Sequence, residues 1–294
     1  MTIALIVYGI SWGLLLLIYL YSRFFQGNST EISDEPWYLY AIIILFAPLV
    51  ILIIPYILIK DAVDKKKNKK WKKEQDKKQK LVELHRQQAI ANFDNGTPVS
   101  ILSEFAHKGR QLKNIVKGKL YENILGCLNK LSLPVGYTLD IKLAEHKGSG
   151  DRSTLFVTEP CGDTCDVIES INVEDSAEGA MNVCLLYKMW HYLPLFWHAN
   201  YSHRTYVYSK DELTDISMFR EEEKASVVKI LQQFDLTPAV VKNQGKYYVS
   251  CCFWSDFGGL IRELVEIEIK ENKVVDIFDA SQTTLFEYQC GIMY

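Results

Sequence analysis

Three histidines, His191, His198 and His203, fall within one aromatic stretch, Trp190 to Tyr208, which reads WHYLPLFWHANYSHRTYVY. Imidazoles titrate near neutrality, so they move protons or hold metals, and aromatic walls with a few polar tips form pockets for flat or amphipathic ligands. The same composition also buries irregular chain in a core, and core packing is its more frequent use. The stretch is too apolar to lie in water and is interrupted by Pro194 and Asn200, so it must pack on another segment. Ser255 to Gly259 is the expected partner, because its paired glycines permit close backbone approach and Asp256 can orient a neighbouring histidine. The expected site is a pocket lined by Trp190, His191, Trp197, His198, His203 and Asp256, taking a small molecule or a protein.

Other constellations are weaker. Cys161 and Cys165, taken with His198 and His203, have spacings that a zinc site can use, but nothing in the sequence fixes the two pairs near each other. Cys184 and His191 are spaced to share a helical face as a thiolate and its base, yet a thiol in an apolar helix is ordinarily a buried structural residue. Asp256-Phe257-Gly258 carries the letters of the kinase metal-binding tripeptide without the glycine-rich loop or catalytic loop that would accompany it. No metal and no cofactor is assigned, and the balance leans away from an enzyme. No motif set carries a family resemblance.

The elements that must position these residues are read from periodicity. Asp94-Asn95-Gly96-Thr97-Pro98 is strong turn chemistry and marks a domain boundary. Apolar residues from Ile101 to Leu131 recur every three or four positions, predicting one or two amphipathic helices with a break near Gly109. Tyr137 to Leu143 alternates and turns into Thr154 to Thr158, a hairpin, with a third strand expected over Asp166 to Val173. Asp175 is the expected N-cap of a helix running to Trp190, and Glu221 to Phe234 reads as another helix. Ala239 to Phe278 reads as an antiparallel meander with Glu266 and Glu268 on a solvated face. The class is α+β, a domain over 94–294 with a sub-boundary near 209–220.

The N-terminal third is different in kind. Met1 to Ser22 and Pro36 to Ile59 carry no charge, and each is long enough to cross a hydrocarbon core of about 30 Å. Residues 1–59 therefore read as a two-span transmembrane hairpin with a short external loop. Gly9 and Gly13 let a second helix approach the first closely, either the chain's own or that of another copy in a homo-oligomer. From Lys60 to Lys80 there are eleven lysines against Asp61, Asp64, Glu74 and Asp76, a net +7. The positive-inside bias places this run and both termini in the cytoplasm, at the inner or plasma membrane. Residues 60–93 read as a helical stalk whose Lys65, Lys66, Lys67, Lys69, Lys70, Lys72 and Lys73 lie at the membrane surface, where they set topology and keep the helix solvated or, as the alternative, meet anionic lipid headgroups.

Leu81 to Tyr294 carries 21 Lys and Arg against 29 Asp and Glu, a net −8, which argues against nucleic acid as a partner. The seven cysteines read as reduced thiols. The function expected from these features is a membrane-anchored cytoplasmic recognition module. The alternatives are a ligand-gated effector acting through the hairpin, whose second span holds Pro48 and Pro55, or a membrane-tethered hydrolase-type enzyme.

Overall fold

The computed structural model describes residues 37–143, 153–193, 204–216, 218 and 220–291, with the backbone alone for 37–59, 61 and 62. The chain divides into two units, Met1–Leu81 and Val82–Tyr294. In the first, the described chain belongs to one helix, α1 (Trp37–Asp94). No Gly or Pro interrupts it beyond Pro55, and from Val63 to Leu81 every side chain is exposed. Among the described residues no helix is long and apolar enough to cross a membrane. The apolar run Met1 to Ser22, with Gly9 and Gly13, lies outside the described residues, as do the side chains of Pro36 to Ile59.

The second unit is α+β with antiparallel sheets. It opens with the last turns of α1 and continues through β1 (Thr97–Val99), α2 (Leu102–Lys117), α3 (Ile124–Cys127), β2 (Leu131–Ser132), β3 (Thr138–Lys142) and β4 (Thr154–Thr158). Then come β5 (Thr164–Cys165), α4 (Val167–Ser170), β6 (Asn172–Val173) and α5 (Ala177–Lys188). The last third holds β7 (Thr205–Val207), α6 (Lys224–Leu231), β8 (Ala239–Asn243), β9 (Lys246–Ser255), β10 (Gly259–Lys270) and β11 (Lys273–Phe286).

The main sheet runs β1-β8-β9-β10-β11, and β7 pairs with β9 beyond the end of β8. The predicted meander is present. Its two tight turns place Gln244 (φ 49°) with Gly245 (φ 78°), and Glu271 (φ 51°) with Asn272 (φ 59°), in the left-handed region, the twist that suits a two-residue hairpin. The predicted hairpin pairs Thr138 with Thr158 through to Lys142 with Thr154.

One face of the main sheet presents Tyr247, Val249, Cys251, Phe253, Val265, Ile267 and Ile269 to the Met181, Cys184 and Leu185 side of α5, forming the principal core. Each such buried side chain contributes about 1.5–3 kcal/mol. The opposite face is divided. At one end Val207, Cys252, Trp254 and Leu260 pack with Leu213, Val227, Leu231 and Tyr288. At the other, Val241, Tyr248, Leu264 and Ala280 are covered by Ala89 and Phe93 of α1.

That cover corrects the expectation of a solvated face. Glu266 is only 3% exposed, because Lys246 Nζ meets its Oε1 at 2.5 Å, His85 Nε2 lies 3.2 Å away, and the His85 ring stacks on Phe278. Alternation with charged residues signals water only when the charges lack partners, and here both partners come from other segments. Asn92 Nδ2 donates to Tyr248 Oη at 2.9 Å and Asn243 Nδ2 to Asn92 O at 2.9 Å, so the end of the expected stalk is part of the folded unit.

Further corrections are local. Ser176, not Asp175, caps α5: its extended backbone lets Oγ accept from Gly179 N at 3.0 Å, while the Asp175 carboxylate accepts from Tyr247 Oη at 2.9 Å. Asp166 accepts from Ile168 N at 2.7 Å and so starts the one-turn helix α4 in place of the expected strand. The helix expected over Glu221 to Phe234 begins as a 3-10 turn and is α-helical only over Lys224–Leu231. Gly109 does not break α2; it lies inside that helix, where the Tyr208 ring occupies the space a side chain would need.

Candidate functional site

The two ends of the aromatic stretch are described, and their rings meet in the principal core. Trp190 and His191 form a 3-10 turn after α5; the His191 ring is 2% exposed and lies against Trp190, 5.9 Å from the Tyr206 ring. Trp197, His198 and His203 lie outside the described residues. The far end of the stretch is β7, whose Thr205 pairs with Trp254, next to the connection that carries Asp256. Asp256 Oδ1 accepts from Trp254 Nε1 at 3.3 Å and its backbone carbonyl accepts from Cys290 N at 3.0 Å.

The thiols offer little chemistry. Cys161 is exposed in a turn, its Sγ 3.5 Å from carboxylate oxygens of Glu159 and Asp163, while Cys165 lies on β5 with Sγ 3.0 Å from Ser170 Oγ. Among the described residues no group of His, Cys, Asp and Glu is placed to hold a metal ion. Cys184 is buried in the core, and its hydrogen bond with Cys251, together with burial, pushes the Cys251 thiol well above its ordinary range. A thiol so raised is neither a nucleophile nor a metal ligand at neutral pH.

Beneath β7 lies a buried charge network with no local signature in the sequence. Lys188, at the end of α5, is 4% exposed in its side chain; Nζ lies 2.5 Å from Asp279 Oδ1 and 3.2 Å from Glu263 Oε2. Glu263, 1% exposed, also accepts from Arg204 Nη1 at 2.5 Å, Tyr206 Oη at 2.8 Å and Gln282 Nε2 at 2.8 Å. Burial alone would lower the Lys188 ammonium, but the Glu263 and Asp279 carboxylates outweigh it and hold the group above its usual range. A permanently charged lysine and a carboxylate saturated with donors make a brace that fixes β7, not an acid–base pair.

Four buried tyrosines, on the two faces of the main sheet, give a testable pH dependence. Burial, with the Glu223 carboxylate close by, pushes the Tyr288 hydroxyl up to about 12. Burial likewise raises Tyr192, Tyr206 and Tyr208 well above the ordinary value. An unfolded tyrosine releases its proton near pH 10. Between about 10 and 12 the folded chain therefore holds more protons than the unfolded chain, and stability falls as pH rises. Urea midpoints across this window should drop, and Tyr288→Phe should make the slope shallower. An unchanged slope in that variant would remove Tyr288 from the account.

Two concavities stand out in the folded unit. One, of about 510 Å³, is an apolar groove between Leu155, Ile168, Leu186, Trp190 and Ile277, rimmed by Asp166, Glu169 and Asp276. The other, of about 580 Å³, lies where α2, the 3-10 turn Lys210–Asp215 and α6 meet. Arg110, Lys113, Lys117 and Lys224 line it with Glu212 and Asp215, and Tyr206 and Tyr208 form part of its wall. The aromatic stretch thus supplies a wall residue to each cavity, Trp190 to the first and Tyr206 and Tyr208 to the second. Neither cavity is lined by His191 or Asp256. The second was missed in the sequence because its residues are scattered from Gly109 to Lys224; its one local signal is Arg110, Lys113 and Lys117 sharing a face of α2 in an otherwise acidic unit. No protein-family model, curated protein or solved structure matches this chain.

Proposed function

We propose that the chain is a membrane-anchored recognition module. In this reading the apolar N-terminal segments form a two-span anchor with both termini cytoplasmic, the lysines of α1 meet anionic headgroups, and the α+β unit binds a small ligand or a protein through its surface concavities. The observation that carries it is the uninterrupted exposure of the lysine-rich part of α1, one helix that begins in the apolar run and ends packed in the folded unit. Recognition is favoured over catalysis because the strongest buried ionisable groups, Lys188 and Glu263, are committed to each other and to neighbours.

The membrane part of the reading has a direct test. A fragment spanning Lys60 to Tyr294 should sediment with phosphatidylserine vesicles at low salt and leave them as salt rises. Each well-placed lysine contributes about 1 kcal/mol at an anionic surface. Replacing Lys65, Lys66, Lys67, Lys69, Lys70, Lys72 and Lys73 with Gln should therefore weaken vesicle binding by about 100-fold or more. Equal sedimentation of the two versions would reduce these lysines to a topogenic role.

A further inference from the structure

We propose that the cleft between α2, the Lys210–Asp215 turn and α6 binds a small phosphate-bearing anion, an inference that rests on the recognition reading and names its ligand class. The cleft, at about 580 Å³, lies within the roughly 300–1,000 Å³ of small-molecule sites. It gathers four cationic side chains and two carboxylates, while the chain from Leu81 onward is net −8. Composition alone would make such a concavity acidic.

The lining carboxylates, two against four cations, offset only part of the positive charge. Glu212 is already engaged, Oε1 with Arg110 Nη1 at 3.3 Å and Oε2 with Tyr208 N at 2.7 Å. Lys224, among the described residues, pairs with Glu221, at 3.8 Å. Among the described residues no ion pair joins Lys113 or Lys117 to a carboxylate, although Lys113 lies near enough to Glu212 to favour its charged form. The two lysines lie one turn apart on α2, an arrangement of like charge that weakens a helix unless an anion sits between them.

Ammonium groups act as point charges toward phosphate, and several of them around one small volume suit a group with more than one negative charge better than a single carboxylate. The rest of the lining agrees. Asn114 can donate hydrogen bonds, while the Thr214 hydroxyl donates to Asp211 O at 3.0 Å, and the buried Tyr206 and Tyr208 hydroxyls stay protonated, so that wall adds no negative charge. The phosphate could arrive on a soluble compound or on a lipid headgroup, and the recognition chemistry is the same in both cases.

The test uses the full chain in phosphatidylcholine nanodiscs, titrated calorimetrically with inorganic pyrophosphate. The wild type should bind, K113Q/K117Q should bind about tenfold or more weakly, and K142Q/K229Q, which removes two exposed lysines outside the cleft, should match the wild type. Melting temperatures should agree to within a few degrees across the three, since Lys117, Lys142 and Lys229 are exposed, Lys113 is half-buried, and relief of one like-charge pair moves a helix little. No binding by the wild type, or equal loss in both double variants, overturns the inference. Either result with vesicle sedimentation of the Lys60 to Tyr294 fragment intact leaves the membrane reading standing. Discs doped with phosphatidic acid, compared with discs doped equally with phosphatidylserine, separate the sources. A lipid phosphate seated in the cleft lowers pyrophosphate affinity in the former only, and a site for soluble ligand does not discriminate.

Discussion

Replacing Glu263 with alanine should destabilise the folded unit by about 3–5 kcal/mol, the usual cost of removing one partner from a buried ion pair. The side chain is 1% exposed and its two oxygens meet Lys188, Arg204, Tyr206 and Gln282. Without it Arg204 loses its carboxylate, and Lys188, itself 4% exposed, keeps only Asp279. The Tyr206 hydroxyl, also buried, loses its acceptor, and a buried polar group without a partner costs about 1–3 kcal/mol. Glu263→Gln retains the shape and an acceptor oxygen but not the charge, so its loss should be smaller. Pairing Lys188→Met with Glu263→Gln should cost less than the sum of the single changes, because each single change takes from the other buried charge one of its partners. Urea denaturation with a double-mutant cycle measures all of this. A loss below about 1 kcal/mol for Glu263→Ala, the range of an exposed pair, would show that the cluster is solvated and does not brace β7.

What could be read from the sequence divides along the same line as the energetics. The meander from Ala239 onward was legible because Leu264 to Ile269 alternates in sequence and the turns are marked by Asn243-Gln244-Gly245 and Glu271-Asn272-Lys273. Local rules suffice where local chemistry decides. Glu266 was misread because the groups that permit its burial come from other segments: Lys246 from the neighbouring strand and His85 from the end of α1, 181 residues away. The described ends of the aromatic stretch are buried, and each joins a different wall. Trp190 joins the apolar groove, while Tyr206 and Tyr208 join the basic cleft. Hydrophobic pattern reports that a residue is inside; which neighbours it meets depends on strand register, and the pairing of β7 with β9 has no signature in the stretch itself.

Gly109→Ala should lower stability by about 3 kcal/mol, the upper part of the range for overpacking. In a unit of this size that is a fall in melting temperature of roughly 6–12 °C. A Cβ at this position would lie 2.0 Å from Tyr208 Cε2 and 2.5 Å from Cζ, far inside van der Waals contact. The ring has little freedom to withdraw. It tilts against Phe105 with centroids 5.1 Å apart, its hydroxyl pairs with that of Tyr192, and its backbone N–H donates to Glu212 at 2.7 Å. The sign makes the test decisive. In a helix interior alanine is favoured over glycine by about 1 kcal/mol, so without the steric conflict the variant would be the more stable protein. A thermal denaturation series carrying Gly109→Ala, Tyr208→Leu and the double change separates the two effects. The double variant should lose less than the sum, because removing the ring opens the space that the methyl group needs. A single Gly109→Ala variant that melts above the wild type would show that Tyr208 does not hold this position against α2.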